Sequence, residues 1–234
     1  MKAGAPEQPA HRGSHRGRRP RSRLIALSIA TAAVLGVALI VGALTTMSGG
    51  NSQASEVEIG PGVVLHRSTV QKMHAIADIG SRFTVPSVGL DVPVGQLTMA
   101  DDTITPPGIG SVYLVRNLGV PLSRADDGTV FVATHSCRLS CHAPGDWLVD
   151  RAKGTSSVAV GAVIEVGARA YRVTGSQKVA KSAIGRDAAV WVSKPGRLVV
   201  ITCLQLASHE QPVDNLVITA QLVDETTSNS KTRA

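Results

Sequence analysis

From Arg82 to Val223 the chain is written in nine short runs rich in Val, Ile, Leu and Thr, separated by Gly, Pro, Asp and Ser. They are Arg82–Val85, Leu90–Val94, Ser111–Val115, Thr129–Thr134, Val163–Val166, Ala170–Thr174, Lys178–Ala183, Arg197–Thr202 and Leu216–Val223. Runs of this length bounded by turn-forming residues read as strands. Eight or nine strands in about 140 residues, with little helix between them, predict one all-β domain, a barrel or a sandwich. Aromatic residues are only 3% of the chain, so its core has to be built from Val, Leu, Ile and Ala. No internal repeat is present. Ahead of the strands, Val70, Met73, Ala77 and Ile79 recur on one helical face, with Ser68 or Thr69 as cap and Gly80 as stop. That spacing predicts a short helix over 68–79.

Upstream lies a different kind of segment. Leu24 to Met47 carries no charge over 24 residues. At about 1.5 Å per residue such a helix spans a hydrocarbon core about 30 Å thick. It is longer than the apolar region of a cleavable signal peptide, so an uncleaved anchor is expected. Small residues at Ser52 and Ala54 keep cleavage open as the alternative. Residues 1–23 hold seven basic side chains against Glu7 alone, while the remainder holds 17 basic and 16 acidic ones. Arginines on this flank predict a cytoplasmic N-terminus, a single-pass protein of the cell membrane and an extracellular β domain. The tail is expected to be disordered and to touch anionic lipid. The net charge of +7 therefore belongs to a tail, which argues against a nucleic-acid-binding domain. The expected order is a basic tail (1–23), an anchor (24–47), a stalk with a short helix (48–81), the β domain (82–224) and a polar tail (225–234).

Outside the cytoplasm, cysteines tend to pair. Cys137 and Cys141 stand four apart in HSCRLSCH and can bridge across a small loop. Cys203 is left over at the end of the apolar run LVVITC. It is either inert core filling or a nucleophile, and an unpaired thiol in an exported protein is a liability unless it has a use. A nucleophilic thiol needs a base to make thiolate and a proton donor for the leaving group. His135, ending the run TVFVATH, is the candidate. Alternation places Phe131, Ala133 and His135 on one strand face, and Val199, Ile201 and Cys203 on another. If those faces look the same way, imidazole and thiol converge. His66 and His74 precede the strands, His142 belongs to the cysteine loop, and His209 lies in a polar loop.

With these residues in view, the chain resembles the sortases, membrane-anchored cysteine transpeptidases of Gram-positive cell envelopes, and most of all their actinobacterial class E and F group. The resemblance rests on Val200-Ile201-Thr202-Cys203, on Thr134-His135 after an apolar strand, and on FTVPSVGLDVPV (83–94). APGDWLV (143–149), GAVIEV with YRV (161–173) and VDNLVITAQL (213–222) continue it in order. It implies a closed β-barrel of about eight strands with short helices, with Cys203 as nucleophile and His135 as general acid/base. It implies substrates that are secreted proteins with a C-terminal sorting signal, and an amine acceptor on peptidoglycan or a lipid-linked precursor. No metal, organic cofactor or nucleic acid enters such chemistry. The family motif also carries an arginine before the Asp-Asn of the closing strand, where this chain has Val213. Arg138 and Arg197 are the candidates to replace it, with His209 and Gln211 as further donors and a backbone N–H near Leu204 for the oxyanion.

Three other readings compete. His135, Cys137, Cys141 and His142 form a conceivable zinc set, although four ligands in one loop are tightly spaced. Thr134-His135-Ser136-Cys137-Arg138 is superficially similar to the motif of the L,D-transpeptidases, which makes Cys137 the reactive thiol. A sortase-like barrel without its arginine also suits a binding module or scaffold, which would hold peptide without forming a thioester.

Overall fold

Residues 56–60, 63–138 and 141–223 are described here from a computed structural model. The basic tail, the 24–47 run and the residues after Val223 lie outside the described residues. Among the described residues no helix is long and apolar enough to cross a membrane. A hairpin of β1 (Glu56–Gly60) and β2 (Val63–His66) leads into α1 (Arg67–Lys72), then β3 (Ile76–Val85), β4 (Leu90–Leu97), β5 (Val112–Gly119) and β6 (Thr129–Ala133). A one-turn α2 (Gly145–Leu148) and a small pair, β7 (Val149–Asp150) and β8 (Thr155–Ser156), precede β9 (Val163–Val166) and β10 (Arg169–Ala180). Two one-turn helices, α3 (Lys181–Ile184) and α4 (Ala188–Trp191), lead to β11 (Arg197–Cys203) and β12 (Asp214–Leu222).

Eight of these strands close into a barrel in the order β10-β12-β11-β6-β5-β4-β3-β9. Closure pairs every strand on both sides and removes the exposed edges of an open sheet. Two of the pairings are parallel, β4 with β5 and β6 with β11. The barrel is all-β with short helices, as the spacing of the runs predicts.

The apolar runs of β6 and β11 have no polar alternation because both of their faces are covered. Val130, Val132, Leu198 and Val200 belong to the cluster inside the barrel, with Phe83, Tyr171, Leu216 and Ile218. Phe131, Ala133 and Val199 point the other way, into a second cluster with Tyr113, Val217 and Val190 of α4. Each Phe and Tyr of the chain is buried in one cluster or the other. The four Phe and Tyr rings are thus placed where they bury most area, while Trp147, one of the two Trp, stays partly exposed.

Two local expectations are corrected. The helix expected over 68–79 ends at Lys72, because the chain from Ile76 gains ladder partners on β4, beginning with Ile76 opposite Gln96. His74, at φ 43°, turns the chain out of the helix. Met73 remains fully buried, so part of the apolar face is used. The separate runs 170–174 and 178–183 are one strand, β10, which slips register on β12 between Val173 and Gly175. Gly175 marks a bulge there, and the ladder resumes beyond it. After Ala180 the chain leaves the sheet as α3.

Candidate active site at the ends of two parallel strands

The outward-facing cluster continues past the ends of β6 and β11 into a groove of about 920 Å³, lined by both His135 and Cys203. Parallel pairing sets Ile201 opposite Ala133, and the Thr134 N–H donates to the Ile201 carbonyl at 3.0 Å. His135 and Cys203 are therefore each the second residue beyond a matched pair, on adjacent strands about 4.8 Å apart. Because the period of a strand is two, both belong to the outward face of Phe131 and Val199. On the other side of β11, Cys203 pairs with Asn215 of β12, which also lines the groove. Directly opposed residues of an antiparallel pair hold their side chains as neighbours. The Cys203 thiol is free and partly exposed.

His135 is 8% exposed, and its Nε2 lies 2.7 Å from the Pro106 carbonyl oxygen. A carbonyl only accepts, so Nε2 carries the proton and Nδ1 is the basic nitrogen of the neutral ring. Burial pushes the imidazole below its usual range, the Pro106 carbonyl pulls it up, and the Lys181 ammonium pushes it down again. The unfolded chain takes up this proton near pH 6.5, whereas the folded chain resists until lower pH. The unfolded state then binds more protons below that value, so stability falls as pH drops through the window. We expect urea midpoints to decline between about pH 7 and about pH 5, and the decline to be shallower in His135→Gln. An identical decline in the variant would mean that the ring is not held neutral.

The segment after His135 is organised by Asp146. One carboxylate oxygen accepts from Ser136 Oγ, the Cys137 N–H and Arg151 Nη2, each at 2.8 Å, and the other accepts from the Ala143 N–H at 2.9 Å. The Gly145 N–H donates to the His135 carbonyl at 2.8 Å. Cys137 and Cys141 are joined in a disulfide. That bond occupies both sulfurs of the zinc reading, including Cys137, the thiol of the L,D-transpeptidase reading. Among the described residues, no group of three or more His, Cys, Asp or Glu is arranged to hold a metal ion. His209, at φ 58°, has Nδ1 2.6 Å from the Arg138 carbonyl oxygen and so links the loop after Cys203 to the disulfide loop.

The candidates for an arginine substitute sit elsewhere. Arg197 begins β11, six residues and roughly 20 Å from Cys203. Its guanidinium is buried and donates to the Ala189, Val190 and Val192 carbonyls at the end of α4. It fastens the groove wall and does not reach the thiol. Arg138 is exposed and does not line the groove, and neither do His209 and Gln211. The Leu204 N–H is already donated to the Asp214 carbonyl at 3.0 Å, which removes it as an oxyanion donor. Val213 is 74% exposed, and its carbonyl accepts from the Lys181 N–H. The side chain that register sets beside Cys203 is the carboxamide of Asn215.

Sequence reasoning missed Pro106, Asn215, Lys181, Arg186 and Trp191, all of which line the groove. Asn215 was within reach, since counting alternation back along β12 from Val217 puts it on the outward face. Lys181 and Arg186 carried no such signal, because they sit where β10 leaves the sheet. Trp191 closes that wall, donating from Nε1 to the Ile184 carbonyl at 2.5 Å and packing its ring 5.5 Å from Phe131.

No family model matches the chain, and no curated protein matches it. Among solved structures it is similar to sortase C-1 from Actinomyces oris, at 19% identity and a TM-score of 0.44, over 62% of this chain and 71% of that one. It is similar to a pilus-related sortase C of Group B Streptococcus, at 13% identity and a TM-score of 0.45, over 64% and 71% of the two chains. It is also similar to sortase A of Listeria monocytogenes, at 17% identity and a TM-score of 0.44, over 66% and 97%.

Proposed function

We propose that the protein is a sortase-like cysteine transpeptidase, with Cys203 as nucleophile and His135 as general acid/base. The observation that carries the reading is a free thiol and a buried imidazole at matched ends of adjacent parallel strands, opening on one groove. Nδ1 of His135 takes the thiol proton, and sulfur attacks the carbonyl carbon of a Thr in a sorting signal. The tetrahedral adduct collapses with cleavage of the C–N bond. The imidazolium returns its proton to the departing amine, and a thioester remains on Cys203. An amine of peptidoglycan or of a lipid-linked precursor then displaces the sulfur and restores the thiol. The Asn215 carboxamide is the donor for the oxyanion, since it faces Cys203 across the ladder and no hydrogen bond to its side chain is made among the described residues. In this reading the 24–47 run anchors the chain in the cell membrane, with the barrel outside, and the motif resemblance places it nearest the class E and F group.

A peptide ending in a thiol-reactive electrophile in place of the Thr carboxyl tests this. Incubated with the full-length chain in neutral detergent, it is expected to label Cys203, as mapped by mass spectrometry after proteolysis. Labelling confined to Cys137, or none, refutes the assignment.

A further inference from the structure

The groove beside Cys203 is mostly apolar, walled by Met99, Ile104, Leu118, Ile184, Trp191 and Ile201. Its charged lining is uneven. Lys181 and Arg186 stand on the segment that connects β10 to β11, and Asp102 stands on the loop between β4 and β5. Neither Lys181 nor Arg186 has an ion-pair partner among the described residues. Asp187, the acid nearest to them in sequence, accepts the Ala189 N–H at 3.0 Å as the cap of α4.

Both cations are offered from a braced wall. The Lys181 N–H is tied to the Val213 carbonyl at 2.9 Å and the Arg186 N–H to the Ala183 carbonyl at 3.0 Å. Trp191 closes on the Ile184 carbonyl, and Arg197 grips the carbonyls at the end of α4. Lys181 is close enough for its charge to act on the His135 ring. The Lys181 ammonium opposes the imidazolium that acyl transfer requires, and Arg186, whose Nη2 donates to the Ser182 carbonyl at 3.4 Å, adds a second positive charge to the same groove lining. A negative charge brought by the occupant removes that opposition. Apolar walls with little water focus such a field and raise the local concentration of the opposite charge.

We propose that the groove selects an acidic peptide, with a carboxylate side chain of the bound segment held against Lys181 and Arg186 while an apolar neighbour fills the wall. The proposal rests on the acyl-transfer reading for its reaction, though not for its charge preference. It assigns the wall between β10 and β11 as the part of the groove that reads sequence.

Because Cys137 and Cys141 are paired, Cys203 is the free thiol among the three cysteines, and its labelling reports the field at the groove. The full-length chain in neutral detergent is treated with a sulfonate-bearing and a trimethylammonium-bearing thiosulfonate, each rate normalised to that of a small free thiol. The anionic reagent is expected to react about tenfold faster at low salt, with the ratio collapsing toward one at about 1 M salt and in K181Q/R186Q. Peptides differing at one position, Asp, Gln or Lys, are then compared as protectants of Cys203. The Asp peptide is expected to protect at about tenfold lower concentration than the Lys peptide, and equally with it in the double variant. Equal reagent rates in the unmodified chain, or a preference that survives K181Q/R186Q, overturns the proposal. A thiol that neither reagent reaches overturns both readings. Charge-selective labelling without any peptide thioester refutes transpeptidation and leaves the acidic preference standing. Turnover indifferent to peptide charge does the reverse.

Discussion

Cys203→Ala is expected to abolish thioester formation on a sorting-signal peptide, and His135→Gln to lower its rate by about 10²–10⁴, with both variants still folded. In the proposed reaction the thiol sulfur bonds to substrate, so its removal leaves nothing to acylate. In that reaction the imidazole accepts the thiol proton and supplies a proton to the leaving amine, and such a group is worth about 10²–10⁴ in rate. Gln keeps a donor for the Pro106 carbonyl but offers no base, so the loss reports chemistry and not a collapsed loop. Asn215→Ala is expected to lose about 10²–10³, the usual cost of one oxyanion donor. Single-turnover kinetics with a fluorescent peptide checks all three. Peptide binding retained in Cys203→Ala alongside no acylation of the unmodified chain would instead support a scaffold. Activity retained in His135→Gln would remove the imidazole from the reaction.

Gly145→Ala unfolds the site from behind. A Cβ at Gly145 would stand 2.2 Å from Thr202 Oγ1 and 2.5 Å from the His135 carbonyl oxygen. Thr202 directly precedes Cys203, and the carbonyl is that of His135 itself. The contact with a backbone carbonyl cannot be relieved by rotating a side chain. Overpacking of a tight site costs about 1–3 kcal/mol, occasionally more. For a domain of this size a loss of that order lowers the melting temperature by roughly 2–4 °C per kcal/mol. The Gly145 N–H to His135 carbonyl bond is displaced at the same time, so Cys203 acylation falls more than stability alone requires. Calorimetry and single-turnover rates on one preparation separate the two effects. An unchanged melting temperature with an unchanged rate would mean that the α2 turn does not press on the strand ends.

The pattern of short apolar runs carried the fold because each strand buries at least one face, and burial demands the residues that the pattern counts. TVFVA and LVVIT read as strands without alternation because both faces of β6 and β11 are covered. That Cys203 and His135 open on one groove was legible for a related reason. Both end such runs, and the period of two carries the face of a buried strand forward to its last residue. The helix over 68–79 and the break in β10 were misread where local pattern competed with long-range pairing. β4 captured Ile76 and its successors, and β12 held both halves of β10 across a bulge.

Sequence alone thus determined most of the barrel's strand segments, the close spacing of Cys137 and Cys141, and the uncharged 24–47 run. These are properties of short stretches, where neighbouring side chains fix periodicity and reach. The order of strands around the barrel, the parallel match of β6 with β11, and the return of Pro106, Lys181 and Arg186 to the groove belong to the tertiary structure. So does the diversion of Arg197 to the carbonyls of α4. Each joins residues far apart along the chain, and such contacts are chosen by packing and backbone pairing across the whole barrel.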